Sequence, residues 1–291
     1  SAVKQIIKKS SVNLKNIVKK SGDYIEKNKY IIKYSDIKLY KHQADIIKTF
    51  KRGGKKLVLY QAPTGTGKTM TPIALSRGKR VIFVCAAKHI GLQLAKSCIS
   101  MEIPIAVAFG CEDPGDIRLH YYAAKDYKRN FKTGGIFRVD NSVGDKVEVI
   151  ISDIQSYLPA MNYMLAFNDK DDIVLYWDEP TITLDYETHE FHEILKKNWV
   201  ENEVPNIVLS SATLPSQEDI FPMIRNYKSK FPKGSIQNVV SYECKKTIPL
   251  IETSGFTVMP HYTFSDVKSI KKSVKQLENN KTIMRHFDME E

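Results

Sequence analysis

The sequence predicts an α/β protein, a mostly parallel sheet with helices on both faces. Three observations carry that prediction. Short continuous apolar runs such as Leu57–Tyr60, Val81–Cys85 and Ile173–Trp177 read as strands buried on both sides. Helical stretches, about 88–100 and 154–167, alternate with them, as in parallel sheets whose crossovers cover both faces. A glycine-rich turn follows the first of these strands, at the sheet edge where doubly wound folds bind ligands. The 291 residues, 42% hydrophobic and 26% charged, suffice for one large core or two small ones and exclude disorder throughout.

Taken in order, the chain opens with apolar residues Val3, Ile6, Ile7, Leu14, Ile17 and Val18 spaced among lysines, which fits one or two short helices in a basic arm over 1–35. Residues 51–56 form a loop rich in Gly and Lys before the Leu57–Tyr60 strand. Strands follow at 81–85, 105–109, 147–151, 173–177 and 207–209. The main lobe is placed at 36–215, interrupted by a polar insertion at about 110–146. There His120, Tyr121, Tyr122, Lys125, Tyr127, Lys128, Arg129, Phe131, Lys132, Phe137 and Arg138 interleave rings and cations. Such a pattern suits stacking on single-stranded nucleic acid, and equally a small local core of tyrosines. Residues 216–291 read as an extension or the start of a second lobe, with a helix-like segment, strands near 236–240 and 247–251, and a Lys-rich helix near 266–279.

Charge is unevenly spread. The first 60 residues hold 16 Lys or Arg against 4 Asp or Glu and the rest holds 28 against 29, so the formal net charge of +11 is N-terminal. This is the footprint of a polyanion binder, and also that of a solvated Lys-rich face, since only 8 of the 44 basic residues are Arg. No apolar window is long enough to span a membrane and the N-terminus lacks a signal-peptide pattern, so the expectation is an intracellular, unsecreted protein with no membrane partner. Cys85, Cys98, Cys111 and Cys244 are scattered, without the Cys-x-x-Cys spacing of zinc or redox sites, and are expected as thiols.

The most informative residues are Ala62-Pro63-Thr64-Gly65-Thr66-Gly67-Lys68-Thr69, between a strand and an expected helix. Glycines allow the backbone to curl so that N–H groups converge on phosphate oxygens. Lys68 then reaches the β- and γ-phosphates, and the Thr69 hydroxyl ligates Mg²⁺. Cation and hydrolysis need carboxylates at a neighbouring strand end, and Asp178-Glu179 after Ile173–Trp177 meets the need. Asp178 is assigned to Mg²⁺ and Glu179 to the attacking water. A third polar element, Ser210-Ser211-Ala212-Thr213, ends the strand near 207–209, where it can sense the γ-phosphate or bridge to the carboxylates.

Together these residues resemble the first RecA-like lobe of a superfamily 2 helicase or translocase. Ala62 to Thr69 is similar to motif I, Asp178-Glu179-Pro180-Thr181 to the DExx box and Ser211-Ala212-Thr213 to motif III. Leu39-Tyr40-Lys41-His42-Gln43 resembles the adenine-recognition motif, which implies ATP as nucleotide and Gln43 at the purine edge. Val81 to Gln93 resembles motif Ia, although Ala86 and Ala87 replace the common Pro-Thr; Lys88, Gln93 and, as motif Ib, Ser152 become candidate nucleic-acid contacts. Because motif II is not DEAD, the resemblance tilts towards DNA translocases or viral DExx proteins, so DNA is slightly favoured over RNA. Relatives hydrolyse ATP between two lobes, the second donating an arginine finger. About 76 residues follow Pro215, too few for that lobe, so the expectation is the N-terminal part of a longer helicase-like protein. Two alternatives remain: a non-catalytic nucleic-acid-binding module on the same scaffold, and a small-molecule P-loop kinase. His189-Glu190-Phe191-His192-Glu193 lacks the spacing of a zinc protease, and residues 168–172 lack the Gly and terminal Glu of a calcium loop.

Overall fold

The computed structural model describes residues 14–19, 40–183, 186–241, 250–251, 257–258 and 266–279. Of the predicted basic arm only α1 (Leu14–Lys19) lies within them; Leu39, Cys244 and the 247–249 part of a predicted strand lie outside. In chain order the lobe then comprises α2 (Lys41–Lys51), β1 (Lys56–Gln61), α3 (Thr71–Leu75), β2 (Arg80–Cys85), α4 (Lys88–Ser100), β3 (Ile105–Ala108), β4 (Arg118–Leu119), β5 (Tyr127–Arg129) and β6 (Ile136–Val139). It continues with β7 (Val149–Asp153), α5 (Tyr157–Phe167), β8 (Ile173–Asp178), α6 (Glu190–Glu201), β9 (Asn206–Ser211), α7 (Phe221–Lys230) and β10 (Ser235–Val240). The short strands β11 (Leu250–Ile251) and β12 (Thr257–Val258) pair with each other, and α8 (Val267–Asn279) follows.

Eight strands form one sheet in the order β10-β1-β9-β8-β2-β7-β3-β4, parallel throughout except for β4. Strand alternation sends Leu57 and Leu59 to one face, where α5, α6 and α7 cover them, and Val58 and Tyr60 to the other, where α2, α3 and α4 pack. Both faces are buried, which is why the strands read as unbroken apolar runs. Among the described residues no helix is long and apolar enough to cross a membrane, and Cys85, Cys98 and Cys111 are buried free thiols.

The sheet does not stop at residue 215, because β10 pairs with β1 along its whole length, from Lys56–Ser235 to Gln61–Val240, and α7 seats Ile224 and Tyr227 on the core. The insertion is also tied to the sheet. Ile117, Leu119, Ala123 and Ala124 enter the core, β4 extends the sheet edge against β3, and β5 and β6 fold into a separate hairpin. Its tyrosines partly form the small local core that was one of the two readings: Tyr121 lies 4.5 Å from Tyr122 and 5.1 Å from Tyr127, ring centre to ring centre.

Candidate functional site

Strand order brings the motifs together. β9 lies between β1 and β8, with Gln61 opposite Ser211 and Asp178 opposite Ser210. Segments distant in sequence therefore leave the same edge of the sheet side by side. The Ala62 N–H donates to the Ser211 carbonyl (3.3 Å) and the Glu179 N–H to the Ser210 carbonyl (2.7 Å), which stitches the three loops at their roots.

In the loop after β1, Gly65 and Gly67 have φ of +77° and +74°, a left-handed backbone that few residues other than glycine adopt at low cost. The Thr66 hydroxyl donates to the Pro63 carbonyl (2.7 Å) and closes the turn. A helix was expected to start at once. Instead Lys68–Met70 form one 3₁₀ turn and α3 begins at Thr71. Pro72 explains this: it has no N–H for the Lys68 carbonyl, which accepts from the Thr71 N–H and from the Tyr176 hydroxyl (2.9 Å). The Lys68 ammonium donates to the Ala62 carbonyl (2.7 Å) and lies 3.7 Å from Glu179 Oε1.

Asp178 ends β8 at 5% exposure, and its Oδ1 is buried with no hydrogen-bond partner. Burial, and then the neighbouring Glu179 charge, push its carboxyl up to about 7, while the Lys68 ammonium and the Ser210 hydroxyl pull the other way. Glu179 has φ +49°, a strained conformation for a side-chain-bearing residue; its Oε2 accepts from the Ser211 hydroxyl at 2.5 Å. Ser211 Oγ in turn accepts from the Thr213 N–H (3.2 Å), while Ala212 lies between them and Thr213 is exposed. Ser211 thus links the end of β9 to Glu179. These groups fit a phosphate-bound Mg²⁺. The orphaned Asp178 oxygen is a hard donor, and Thr69 sits in the adjacent 3₁₀ turn, partly exposed. Among the described residues no cluster of three His, Cys, Asp or Glu exists, so a cation here would take its other oxygens from phosphate and water, as Mg²⁺ prefers.

Gln43, expected at the purine edge, hydrogen-bonds to the phosphate-loop backbone. It is buried on α2, its Nε2 donating to the Gly67 carbonyl (2.6 Å) and its Oε1 accepting from the Tyr40 N–H (2.9 Å). The carboxamide is committed to the loop rather than turned to an open purine edge. Residues overlooked in the sequence lie behind it: the Tyr60 hydroxyl meets His42 Nδ1 at 2.6 Å, and Tyr176 joins Lys68 to Ser210 Oγ (3.0 Å). Nothing in the pattern flagged them, because aromatics in apolar strands are core residues by default.

The candidate nucleic-acid contacts do not assemble as expected. Ser152 is fully buried and its hydroxyl donates to the Asp153 carbonyl (2.7 Å), so it has no surface to offer a phosphate. The next residue, Asp153, reaches the edge, accepts from the Gly110 and Ser156 N–H groups (both 2.9 Å) and pairs with Lys88 at 3.4 Å. Lys88 is thereby partly neutralised, and Ala87 before it has no hydroxyl with which to cap α4. Gln93 is exposed on α4.

Residues 36–215 match the family model described as the type III restriction enzyme, res subunit. No curated protein sequence matches the chain significantly. Among solved structures, a DEAD box protein from the hyperthermophile Methanococcus jannaschii is 17% identical with a TM-score of 0.44, over 69% of this chain and 50% of that one. A hypothetical ATP-dependent RNA helicase from Sulfolobus tokodaii is 15% identical with a TM-score of 0.40, over 70% and 54%. The DEAD-box helicase Mss116 bound to ssRNA and UDP-BeF is 15% identical with a TM-score of 0.45, over 94% and 55%. The chain spans about half the length of these structures. With its family match extending over more than half of its residues, the chain belongs to the type III restriction enzyme res-subunit family.

Proposed function

We propose that the chain is the ATP-binding first lobe of a nucleic-acid helicase or translocase, completed by a second RecA-like lobe in a longer protein. The observation that carries the reading is the meeting of Lys68, Asp178, Glu179 and Ser211 at one sheet edge, with Lys68 Nζ 3.7 Å from Glu179 and an unpartnered Asp178 oxygen beside them. In this reading Lys68 exchanges the Ala62 carbonyl for β- and γ-phosphate oxygens, and N–H groups from Gly65 to Thr69 cradle the rest. Thr69 and Asp178 would hold Mg²⁺, which when bound neutralises charge on the transferred phosphoryl group. Glu179, held by Ser211, orients and deprotonates the attacking water. DNA is favoured as the polymer over RNA, on the Asp-Glu-Pro-Thr form of motif II.

Titration with a fluorescent ATP analogue and Mg²⁺ tests the assignment. Lys68→Ala should weaken binding at least about tenfold, as expected for loss of a charge-assisted contact. Equal affinity of the variant and the parent chain would remove the basis of the proposal.

A further inference from the structure

The β5–β6 hairpin takes no part in the nucleotide site, and its surface is unusual. The turn is firmly built: the Asn130 N–H donates to the Gly135 carbonyl (2.7 Å), the Gly134 N–H to the Asn130 carbonyl (2.8 Å), and the Lys132 N–H to Asn130 Oδ1 (2.8 Å). This turn presents Phe131 at 99% exposure, and β6 presents Phe137 at 73%. Burying either ring would recover roughly 2 kcal/mol, so two exposed phenylalanines on one short hairpin are not neutral features.

Charge adds an independent observation. Lys128 pairs directly across the ladder with Arg138, a like-charge juxtaposition that destabilises a hairpin. Among the described residues neither forms an ion pair within 4 Å, and the Asp140 carboxylate just beyond β6, engaged by the Ser142 N–H (3.0 Å), is shared between the charges of Arg138 and Lys125. Residues 125–138 hold five basic side chains and one acidic. Arg129 lies 5.8 and 5.7 Å from the Tyr121 and Tyr127 rings, which braces the hairpin against the tyrosine cluster. One ligand relieves both the exposed rings and the excess of cations around the Lys128–Arg138 pair: a polymer offering flat aromatic faces and phosphates together. Duplex bases are already stacked on one another, so the ligand is single-stranded.

We propose that the β5–β6 hairpin is a contact surface for single-stranded nucleic acid, with Phe131 and Phe137 stacking on bases and Lys128, Lys132 and Arg138 meeting phosphates. The proposal rests on the nucleic-acid reading above and adds a surface outside the motifs. Its test is fluorescence anisotropy with roughly 20-nucleotide labelled oligothymidylate and oligouridylate, and a duplex of equal length, at low salt. Phe131→Ala/Phe137→Ala should lose about tenfold in single-strand affinity and little on duplex, Phe131→Tyr should keep its affinity, and Lys128→Glu/Arg138→Glu should also flatten the salt dependence. Retained binding of the ATP analogue shows that each variant is folded. If the parent chain binds oligonucleotide and these variants bind equally well, the hairpin proposal falls and the helicase reading stands. Equal losses on duplex and single strand overturn the single-strand assignment, and no binding of any polymer by the parent chain overturns both.

Discussion

The Tyr176 hydroxyl carries two interactions in a place where neither partner can reach water. A carbonyl can only accept, so Tyr176 donates to the Lys68 carbonyl, and its proton is shared with Ser210 Oγ, whose own proton faces the Asp178 carboxylate. Burial holds the phenol far above its ordinary titration range, so it remains a donor at every working pH. Tyr176→Phe leaves Ser210 without this partner and the Lys68 carbonyl with only the Thr71 N–H, which should cost about 1–3 kcal/mol in urea unfolding and weaken nucleotide binding through the loosened loop. Parent-like values of both would show that the bridge is incidental. Asp178, Glu179 and Ser211 could be found in the sequence because they are polar residues at the ends of apolar strands, and Lys68 because it follows the glycines of the loop after β1. Tyr176 could not, since the same argument files it with the core. Ser152 pairs with Val84 and Ala108 inside the sheet, and it is the buried carboxylate of Asp153, one residue on, that pairs with Lys88 at the strand end.

At the scale of elements, α4 is fixed on the sheet by a missing side chain. A Cβ on Gly91 would stand 2.8 Å from Phe109 Cζ and 2.9 Å from Ile151 Cγ2. Alanine would gain about 1 kcal/mol in helix propensity, but overpacking costs about 1–3 kcal/mol, and Ile151 on central β7 cannot retreat as the Phe109 ring can. Gly91→Ala should therefore lower the urea midpoint with an unchanged slope, and a higher midpoint would contradict this packing argument. The insertion gives a second element-scale prediction. Burial lowers His120 from 6.5 to about 4, and its Nδ1 accepts the Tyr122 N–H, as a neutral ring does. The unfolded chain thus binds the proton first, so stability is full above about 6.5 and falls as pH drops towards 4. His120→Phe should flatten that decline, as read by melting temperature against pH; an unaltered pH profile would place the sensitivity elsewhere. The helix spanning 88–100 was legible from periodicity, whereas the 3₁₀ turn at Lys68–Met70 depends on Pro72, beyond the glycines. The β5–β6 pairing was not legible, because polar, ring-rich sequence has no period to read.

For the whole molecule, the site is open on one side. Thr64, Gly65 and Thr213 are exposed and Glu179 is partly so, while its sheet-side neighbours Asp178, Ser210 and Ser211 are buried. An edge so arranged can bind phosphates from below, and among the described residues the cation recorded beside Glu179 is Lys68. The partner wall is the role proposed for a second lobe, whose arginine finger would stabilise charge that develops only as the γ-phosphoryl group moves. Removing such a group costs turnover rather than nucleotide affinity, by about three to five orders of magnitude. Single-turnover hydrolysis at saturating Mg²⁺-ATP separates the two quantities. The chain alone should bind ATP normally and hydrolyse it at least about a thousandfold more slowly than a longer protein carrying both lobes, and polynucleotide should accelerate only the longer protein. Equal rates with and without the second lobe would mean that residues 36–240 contain a complete catalytic apparatus, and the open edge would then need another explanation.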